Sequence, residues 1–536
     1  MGNHRRFWAL AAIAGGVLAG VALPPVGWPW LLWPALALLW AVAGSPHRST
    51  ALAAAALWGG AAVLVSHRWL RWLHPVDWCG VPAPLSLPLC LVVWAFCGGV
   101  GGLLVAAWAA VVLRLDPTRL DTALLASLGW GLAEGVLARG PLFWLGLGAS
   151  ALPGDPALAA LAAVGGAGAI AALQMLIGWG LWRALQLGAL RGRPRALALP
   201  LALLLVAHGP GWALALAPGR SADGSSERVL VVQPAIPTRH KFEPASQRRL
   251  LYQLDQALGS LSAASAQASG ASAASGSVAA AGPEAVAGPA GVSGAGAKTT
   301  VVVLPEGALP LGQPLPRAAT AEVLAGGFRQ QDGSVRSSVL RFGPGERYAS
   351  SAVDKHRLVP LGEWVPLARL VRWSGLSAVG GLDGGAASRL LPRPAGAIGV
   401  AICYELADGT ALAQASRDGA RWLLASANLD PYPLALQAQF TALARLRAIE
   451  TGRWLVGVAN TGPSLVVDAS GEVRSTLPPG IAALQTVTVR QRQSLTAYDR
   501  WGNGPLLLGW LLALLLRFWP RPAGVGNASG PMQDKL

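Results

Sequence analysis

The chain has 536 residues, of which 53% are hydrophobic and only 13% are charged, and its mean hydropathy is +0.46. A soluble domain carries about a quarter charged residues, so a large part of this chain must lie in a non-aqueous solvent. Much of the net charge of +16 comes from Arg at the ends of apolar runs, where it indicates membrane orientation. Since no basic stripe or binding module accompanies that charge, nucleic acid is excluded as a partner.

Apolar runs fill the first 217 residues, and one more lies near the C-terminus. A membrane-spanning helix needs about twenty apolar residues. The runs that meet or approach this length are Phe7–Leu23, Trp28–Gly44, Ala51–Val65, Leu87–Leu113, Thr122–Ala138, Val164–Trp182, Ala196–Ala217 and Pro505–Leu516. The first run could be a signal peptide, but the apolar runs that follow it favour a retained helix. The sequence therefore predicts about eight transmembrane helices, seven within 1–217 and one within 504–521, and a cytoplasmic tail at 522–536.

Arginines beside the apolar runs predict the orientation of the chain. With the N-terminus in the cytoplasm, the cytoplasmic ends hold most of them, as the positive-inside rule requires. The cytoplasmic ones are Arg5, Arg6, Arg48, Arg114, Arg119, Arg183, Arg191, Arg193, Arg195, Arg517 and Arg521, and the opposite short loops hold Arg68, Arg71 and Arg139. Seven crossings then place the segment after Ala217 outside the cytoplasm. This predicts a multi-pass protein of the inner (plasma) membrane with a periplasmic or extracytoplasmic soluble domain.

Residues 227–495 have the composition of a soluble α/β domain. Five almost continuously apolar runs predict strands that are buried on both faces of a sheet. They are Val229–Val232, Val301–Leu304, Ala397–Ile402, Trp422–Ser426 and Trp454–Ala459, with helical stretches between them at Ala245–Leu258, Thr410–Asp418 and Leu434–Glu450. Residues 259–298 are almost wholly Ala, Gly and Ser. Because such a segment buries too little apolar surface to fold, it is predicted to be a disordered insertion.

Chemically active residues follow the predicted strands. Glu306 comes just after Val301–Leu304, Lys355 lies 49 positions later, and Cys403 follows another strand, 48 positions beyond Lys355. Groups at the strand ends of an α/β sheet collect in one pocket. The other three cysteines lie in or beside apolar runs and are interpreted as packing residues: Cys79, Cys90 and Cys97. We therefore expect one site in the soluble domain, built from these three strand-end residues.

The three residue types suit acyl transfer through a thioester. A cysteine thiolate is a nucleophile that needs a base and a nearby positive charge to form. A carboxylate such as Glu306 can take the thiol proton and return it to a leaving group. An ammonium such as Lys355, with the backbone N–H after the cysteine, can stabilise an oxyanion. Spacing alone leaves open the alternative that Cys403 is a buried core residue.

Three sequence blocks carry a family resemblance. They are Pro305-Glu306, the run 355–366 (KHRLVPLGEWVP), and Ile402-Cys403-Tyr404-Glu405. They resemble the signature blocks of bacterial apolipoprotein N-acyltransferases, which are membrane enzymes of the nitrilase superfamily. Further similarity covers most of the chain, including Val232-Gln233-Pro234 with Lys241-Phe242 downstream. The resemblance implies a catalytic triad of Glu, Lys and Cys in an α-β-β-α sandwich domain.

The resemblance also implies a ping-pong reaction that needs no metal and no organic cofactor. Cys403 would take a fatty acyl group from a membrane phospholipid as a thioester and release a lysophospholipid. The acyl group would then pass to the α-amino group of the diacylglyceryl-cysteine at the start of an apolipoprotein. Both partners are anchored in the bilayer, so a membrane domain would raise their effective concentration at the site.

Supporting roles come from the same resemblance. Tyr404 would supply the backbone N–H of the oxyanion site, Glu405 would orient the nucleophile loop, and Glu363 would tune Lys355. For Glu363 the alternative is a surface carboxylate near a turn. Phe242 would contact an acyl chain, and core packing is an equal alternative for it.

The chain departs from the family pattern at residues 428–432, where Asn-Leu-Asp-Pro-Tyr replaces Asn-Asp and an aromatic pair. In the fifth apolar run, Glu134 and Arg139 are expected to pair or to line a lipid-access groove, and the alternative is a structural pair that fixes helix packing. Two other functions stay open: a membrane-tethered amidase or nitrilase that hydrolyses the thioester, and an inactive membrane scaffold. The complete triad and the eight-span layout favour the acyltransferase.

Overall fold

The computed structural model describes residues 2–76, 81–188, 193–216, 224–241, 243–271, 300–360, 362–364, 381–430 and 432–519. Within these ranges, six helices are long and apolar enough to cross a membrane. They are α1 (Gly2–Ala22), α3 (Arg48–Ser66), α4 (Ala83–Leu115), α5 (Leu120–Leu137), α7 (Ala162–Gln186) and α8 (Ala198–Leu216). Two shorter apolar helices are α2 (Pro29–Ala43) and α13 (Gly504–Phe518). Each predicted apolar run corresponds to one of these helices, which confirms the predicted membrane bundle.

Small residues and indole hydrogen bonds hold the membrane helices together. A Cβ atom on Gly59 of α3 would lie 2.4 Å from the carbonyl oxygen of Gly101 on α4, so these two backbones touch. The buried Trp58 of α3 donates from Nε1 to the carbonyl oxygen of Ala35 on α2 at 3.1 Å. An unpaired N–H group in hydrocarbon costs several kcal/mol. Each such hydrogen bond therefore stabilises the packing of the two helices that it joins.

Helix α7 is broken near its start. Gly165 and Gly166 have non-helical backbone angles, with φ of +68° at Gly166, where a Cβ atom would lie 2.5 Å from the Tyr498 ring. Only glycine adopts this conformation freely. The break leaves the backbone N–H of Ala167 available to a partner outside the helix.

The soluble part forms two six-stranded sheets. The first sheet contains β1 (Ser226–Gln233), β2 (Thr300–Leu309), β3 (Glu322–Gln331), β4 (Ser334–Phe342), β5 (Ser351–Asp354) and β12 (Ala483–Arg490). The second contains β6 (Leu390–Leu391), β7 (Ile398–Ile402), β8 (Leu423–Ala427), β9 (Leu455–Ala459), β10 (Leu465–Val467) and β11 (Val473–Thr476). Their orders are β12-β1-β2-β3-β4-β5 and β11-β10-β9-β8-β7-β6, each with three parallel central strands. The five predicted strands are β1, β2, β7, β8 and β9.

Helices cover the outer faces of both sheets. They are α9 (Pro244–Ala271), α10 (Gly409–Arg417) and α11 (Leu434–Thr451), and the short helices α6 (Pro156–Ala160) and α12 (Ala497–Trp501) lie at the junction with the membrane bundle. Leu254 of α9 packs with Val302 on the first sheet, while Val301 faces the other way and shares a core with Val400 of the second sheet. The same core includes Ile170 of α7. The predicted α-β-β-α sandwich is confirmed, and its core is continuous with the membrane bundle.

Helix α9 extends further than the sequence predicted. It continues to Ala271, so the start of the segment 259–298, which was predicted to be disordered, is helical and that prediction is wrong there. Alanine is the best helix former, and a run rich in it prolongs a helix that is already nucleated. Residues 272–299 and the predicted cytoplasmic tail 522–536 lie outside the described residues.

Candidate active site

Cys403 stands at a sharp turn between strand β7 and the 3-10 helix Cys403–Ala407. Its φ of 54° lies in the left-handed region, which residues other than glycine rarely adopt. Backbone strain of this kind is found at active sites, where the surrounding structure holds a side chain in an exact direction. The strained turn distinguishes Cys403 from an ordinary buried core cysteine.

Lys355 connects two carboxylates in the interior of the domain. It directly follows β5, and its Nζ donates to Glu306 Oε1 at 2.7 Å and to Glu363 Oε1 at 2.6 Å. Glu306 lies in β2 where the pairing with β3 is interrupted between Leu304 and Leu309. Burial alone would lower the pKa of Lys355, but the charges of Glu306 and Glu363 raise that pKa well above its ordinary value. Lys355 therefore remains an ammonium ion.

The remaining carboxylate oxygens are also held. Asn428 donates its backbone N–H to Glu306 Oε2 at 3.1 Å, and Val359 donates its backbone N–H to Glu363 Oε2 at 2.9 Å. Burial raises the pKa of Glu363, against the opposing effect of Lys355. Glu306 is thus fixed in orientation by a lysine on one oxygen and a backbone amide on the other.

The thiol of Cys403 is protonated in the resting site. Burial raises its pKa, the charges of Glu306 and Glu363 raise it further, and Lys355 and the backbone N–H of Tyr404 act in the opposite direction. The thiol proton must therefore leave as the sulfur attacks, which requires a base close by. The N–H of Tyr404 is directed at this sulfur, where a backbone donor can also meet an oxyanion.

Glu405 joins the nucleophile turn to the loop that carries Lys355. Its buried carboxylate accepts from the backbone N–H of Ile402 at 2.9 Å, from that of His356 at 2.7 Å and from Arg389 Nη1 at 2.9 Å. A buried carboxylate is tolerated when charged and backbone donors surround it in this way. Glu405 therefore ties the nucleophile turn to the loop that carries Lys355.

Tyr404 is linked to the membrane bundle through Arg357. The Tyr404 hydroxyl donates to the carbonyl oxygen of Leu358 at 2.7 Å, and the Arg357 guanidinium lies 4.7 Å from the centre of the Tyr404 ring. Arg357 in turn donates to the carbonyl oxygens of Ala138 at 2.7 Å and Gly140 at 2.5 Å, just beyond the end of α5. The carbonyl groups at the C-terminal end of a helix attract a cation, so the charge of Arg357 stabilises this contact.

A second link joins the other end of the nucleophile turn to α7. Arg447 of α11 donates from Nη1 to the carbonyl oxygen of Ala407 at 2.8 Å and from Nη2 to Glu450 Oε1 at 2.8 Å. The same oxygen of Glu450 accepts the N–H of Ala167, the amide that the break in α7 leaves available, at 2.9 Å. The nucleophile turn is therefore attached to membrane helices at both of its ends.

Lys241 is a residue of the site that the sequence reasoning did not single out. Its Nζ donates to the backbone carbonyl oxygen of Glu306 at 2.9 Å. Burial lowers the pKa of Lys241 to about 8, although the charge of Glu306 acts against this shift. The available signal was the scarcity of lysine in an arginine-rich chain. Phe242, the predicted acyl-chain contact, lies outside the described residues.

The atypical segment 428–432 helps to position Lys241. Asp430 Oδ2 accepts the backbone N–H of Thr238 at 2.7 Å, and Asn428 Nδ2 donates to Thr238 Oγ1 at 3.0 Å. Thr238 begins the short 3-10 helix that ends at His240, immediately before Lys241. The departure from the family pattern therefore lies beside the site and holds one of its lysines.

Glu134 of α5 does not pair with Arg139, so that prediction is wrong. Glu134 Oε1 accepts from Trp130 Nε1 at 2.9 Å and from the backbone N–H of Leu147 at 2.8 Å. Arg139 donates instead to the carbonyl oxygen of Gly135 at 3.1 Å. Glu134 lines a largely apolar cavity of about 400 Å³ between α3, α4, α5 and α13.

Comparison with protein families divides the chain as the fold does. The family of apolipoprotein N-acyltransferase N-terminal domains matches residues 15–180, and the carbon-nitrogen hydrolase family matches residues 313–498. Among solved structures, Nit3 of Saccharomyces cerevisiae, a member of branch 10 of the nitrilase superfamily, is 15% identical with a TM-score of 0.34, covering 50% of this chain and 90% of its own.

Whole-length relatives carry one name, apolipoprotein N-acyltransferase. The protein of Prochlorococcus marinus (strain MIT 9313) is 46% identical, and the alignment covers 96% of this chain and 97% of that protein. The protein of Parasynechococcus marenigrum (strain WH8102) is 44% identical over 93% of this chain and 98% of its own length. Because these identities extend over the membrane helices and the soluble domain together, this chain belongs to the apolipoprotein N-acyltransferase family.

Proposed function

We propose that this protein transfers a fatty acyl group from a membrane phospholipid to the α-amino group of the diacylglyceryl-cysteine that begins an apolipoprotein. The observation that carries the proposal is the buried cluster in which Lys355 joins Glu306 and Glu363 beside the strained Cys403. A thiol, an oriented carboxylate and a fixed ammonium are the groups that acyl transfer through a thioester needs. The names of the relatives support a lipoprotein acceptor, and the membrane helices support a lipid donor.

In the first half-reaction, Sγ of Cys403 attacks the carbonyl carbon of a phospholipid ester while Glu306 takes the thiol proton. Lys355 Nζ and the backbone N–H of Tyr404 stabilise the oxyanion of the tetrahedral intermediate. The ester C–O bond then breaks, Glu306 returns the proton to the departing alkoxide, and a lysophospholipid leaves. The acyl group stays on Cys403 as a thioester.

In the second half-reaction, the neutral amine of the acceptor attacks the thioester carbon. The same two donors stabilise the new oxyanion, and the C–S bond breaks as the amide forms. Glu306 takes a proton from the attacking nitrogen and returns it to Sγ of Cys403, which restores the thiol. Glu363 keeps Lys355 in place, and Glu405 keeps the nucleophile turn in register with the lysine loop.

We place the catalytic domain, approximately residues 227–495, on the extracytoplasmic side of the inner membrane. The excess of arginines at the other ends of the helices supports this orientation. The two arginine links hold the nucleophile turn against α5 and α7. Substrates that are confined to the bilayer would meet the site from the membrane side, which raises their effective concentration.

The test is mass spectrometry of the purified protein after incubation with phospholipid vesicles, beside a Cys403→Ala variant. A fatty-acyl mass increment on the Cys403 peptide, labile to hydroxylamine and absent from the variant, is the expected result. Subsequent addition of a diacylglyceryl-cysteine peptide should remove the increment and yield an N-acylated peptide. Release of free fatty acid without an acceptor would favour the hypothesis of a membrane-tethered amidase. A folded protein that never gains the acyl mass would favour the hypothesis of an inactive scaffold.

A further inference from the structure

Two lysines flank Glu306, and their partners differ. Lys355 Nζ donates to the carboxylates of Glu306 and Glu363. Lys241 Nζ donates to the backbone carbonyl oxygen of Glu306, and across the described parts of the chain it forms no ion pair and no second hydrogen bond. It lies against the bare Cα of Gly307, where a Cβ atom would come within 2.6 Å of Nζ. Lys241 can therefore lose a proton without breaking a salt bridge, and Lys355 cannot.

Lysine is scarce in this chain. Only four of its 42 Lys and Arg residues are lysines, and they are Lys241, Lys298, Lys355 and Lys535. Two of the four donate to Glu306. Arginine carries charge equally well but does not release its proton in a protein, whereas lysine does so when it is buried. In a chain where 38 of the 42 Lys and Arg residues are arginine, a lysine at position 241 fits a position that needs a proton that can leave.

The charges around Lys241 do not outweigh its burial. Glu306 and Asp430 favour the cation, ionised Cys403 would favour it as well, and Lys355 opposes it. Burial is the largest effect and lowers the pKa of Lys241 to about 8. At neutral pH the fraction of neutral amine is then on the order of 10²-fold larger than for an ordinary lysine.

Transfer of an acyl group to an amine needs one more proton acceptor than transfer to water. An α-amino group has a pKa of about 7.7–8.0, so much of the acceptor arrives as an ammonium ion that cannot attack. One proton must leave before the attack, and a second leaves as the amide forms. Glu306 handles the second proton, which it returns to Cys403, so the first proton requires a different base.

We propose that Lys241 is a catalytic residue of the second half-reaction and that its neutral amine takes the first proton from the α-ammonium of the acceptor. This role rests on the function proposed above. One N–H bond of the acceptor breaks and one forms at Nζ of Lys241, which then passes the proton to water, so no further reactant is needed. Proton transfer between two nitrogens of similar pKa is efficient, and the site provides such a pair.

The test measures the two half-reactions separately on the full-length protein. Acylation of Cys403 is followed by intact mass with vesicles of a synthetic phosphatidylethanolamine, and aminolysis is followed as loss of that mass after a synthetic diacylglyceryl-cysteine peptide is added. Lys241→Met removes the base. Lys241→Arg is the matched variant, because it keeps the charge and a donor for the Glu306 carbonyl but does not release a proton.

We expect both variants to slow the acylation of Cys403 much less than they slow aminolysis, because the first half-reaction takes its proton from the thiol and not from an ammonium ion. Aminolysis should slow by up to about tenfold near pH 7 in both of them, because only about a tenth of an α-amino group with a pKa of about 7.7–8.0 is neutral there without a base. The loss should shrink as the pH approaches about 9, where the acceptor amine is already neutral. This combination of a half-reaction-specific defect and its rescue by pH is not expected from a residue that only supports the fold.

Three outcomes would overturn the role of Lys241. Wild-type aminolysis in Lys241→Arg would show that positive charge alone is needed. Equal slowing of both half-reactions would show that Lys241 binds the lipid donor or holds the site together. A loss of aminolysis that is the same at every pH would remove the proton-transfer argument. In contrast, a wild-type Cys403 that never gains the acyl mass would refute the proposed function itself.

Discussion

The guanidinium of Arg357 lies 4.7 Å from the centre of the Tyr404 ring and donates to two carbonyl oxygens beyond the end of helix α5. The residue that follows the nucleophile is thereby joined to the membrane bundle through one side chain. Arg447 makes a corresponding link at the other end of the same turn, through the carbonyl of Ala407. The nucleophile turn and the bundle therefore form one mechanical unit, and substitutions between them should act on Cys403.

Arg357→Lys should slow the acylation of Cys403 by about tenfold, which corresponds to about 1.4 kcal/mol in the barrier. Lysine keeps the positive charge but cannot span the carbonyls of Ala138 and Gly140 together while stacking on Tyr404. The turn then loses part of its orientation. The measurement is the single-turnover rate of acyl mass gain with phospholipid vesicles.

The control for this prediction is Arg474→Lys. Arg474 is half exposed and pairs with the buried Asp468 and with the exposed Glu472. Exposed ion pairs contribute little, about 0–1 kcal/mol, so this variant should acylate Cys403 like the wild type. Equal rates for Arg357→Lys and the wild type would show that the contact of Arg357 with Tyr404 does not position the nucleophile.

Glu450→Met should destabilise the protein strongly, by about 3–5 kcal/mol, because it leaves the buried guanidinium of Arg447 without its carboxylate. The double variant Arg447→Met/Glu450→Met removes both charges and should be less destabilised than Glu450→Met alone. Thermal unfolding in detergent, followed by tryptophan fluorescence, gives the comparison. Additive losses in the double variant would mean that the two side chains act independently.

The sequence could predict the parts of this architecture that local patterns encode, but not the contacts between residues far apart in the chain. Glu306 and Cys403 stand directly after short apolar runs, so local pattern and motif together located them. The membrane helices follow from uninterrupted apolar runs. The bond between Ala167 and Glu450 joins residues 283 positions apart, and no local pattern records such a pairing. Lys241 was not singled out for the same reason, since its partner is a backbone atom of β2, 65 positions away.

The rate at which Cys403 is alkylated should rise at a higher pH than that of an ordinary cysteine. Burial and the neighbouring carboxylates raise the pKa of this thiol above its ordinary value, and iodoacetamide reacts with the thiolate. The rate should therefore be below that of a small free thiol at about pH 8 and should still be rising above about pH 9. Lys355→Met removes the charge that favours the thiolate and should shift the rise to higher pH.

The rate is measured on the Cys403 peptide after digestion, so that the cysteines of the membrane region do not contribute. A Cys403→Ala sample provides the blank. A rate that levels off below about pH 8 would contradict the raised pKa, because it would show that the thiolate is already the main form in the resting site.

Asp499→Asn should stabilise the protein at about pH 8 and not at about pH 4. Burial raises the pKa of Asp499 from 3.8 to about 7, and its Oδ1 has no partner within the described ranges. A carboxyl whose folded pKa is raised favours folding below its unfolded pKa, and this contribution is lost as the pH rises from about 4 to about 7. Asparagine removes the buried charge, and this should raise the free energy of unfolding by about 2–4 kcal/mol above pH 7. The expected result is a higher unfolding temperature at the higher pH only.

Asp468→Asn serves as the comparison for that measurement, and we expect it to lower the unfolding temperature. The carboxylate of Asp468 accepts from the backbone N–H of Ser470 at 2.8 Å, from that of Glu472 at 3.0 Å and from Arg474 Nε at 2.7 Å. An amide replaces one of these acceptors with a donor, so the variant should melt earlier at both pH values. If Asp499→Asn also melted earlier at about pH 8, the buried charge of Asp499 would be stabilising, and Arg453, whose charge acts on it, would be the partner to examine next.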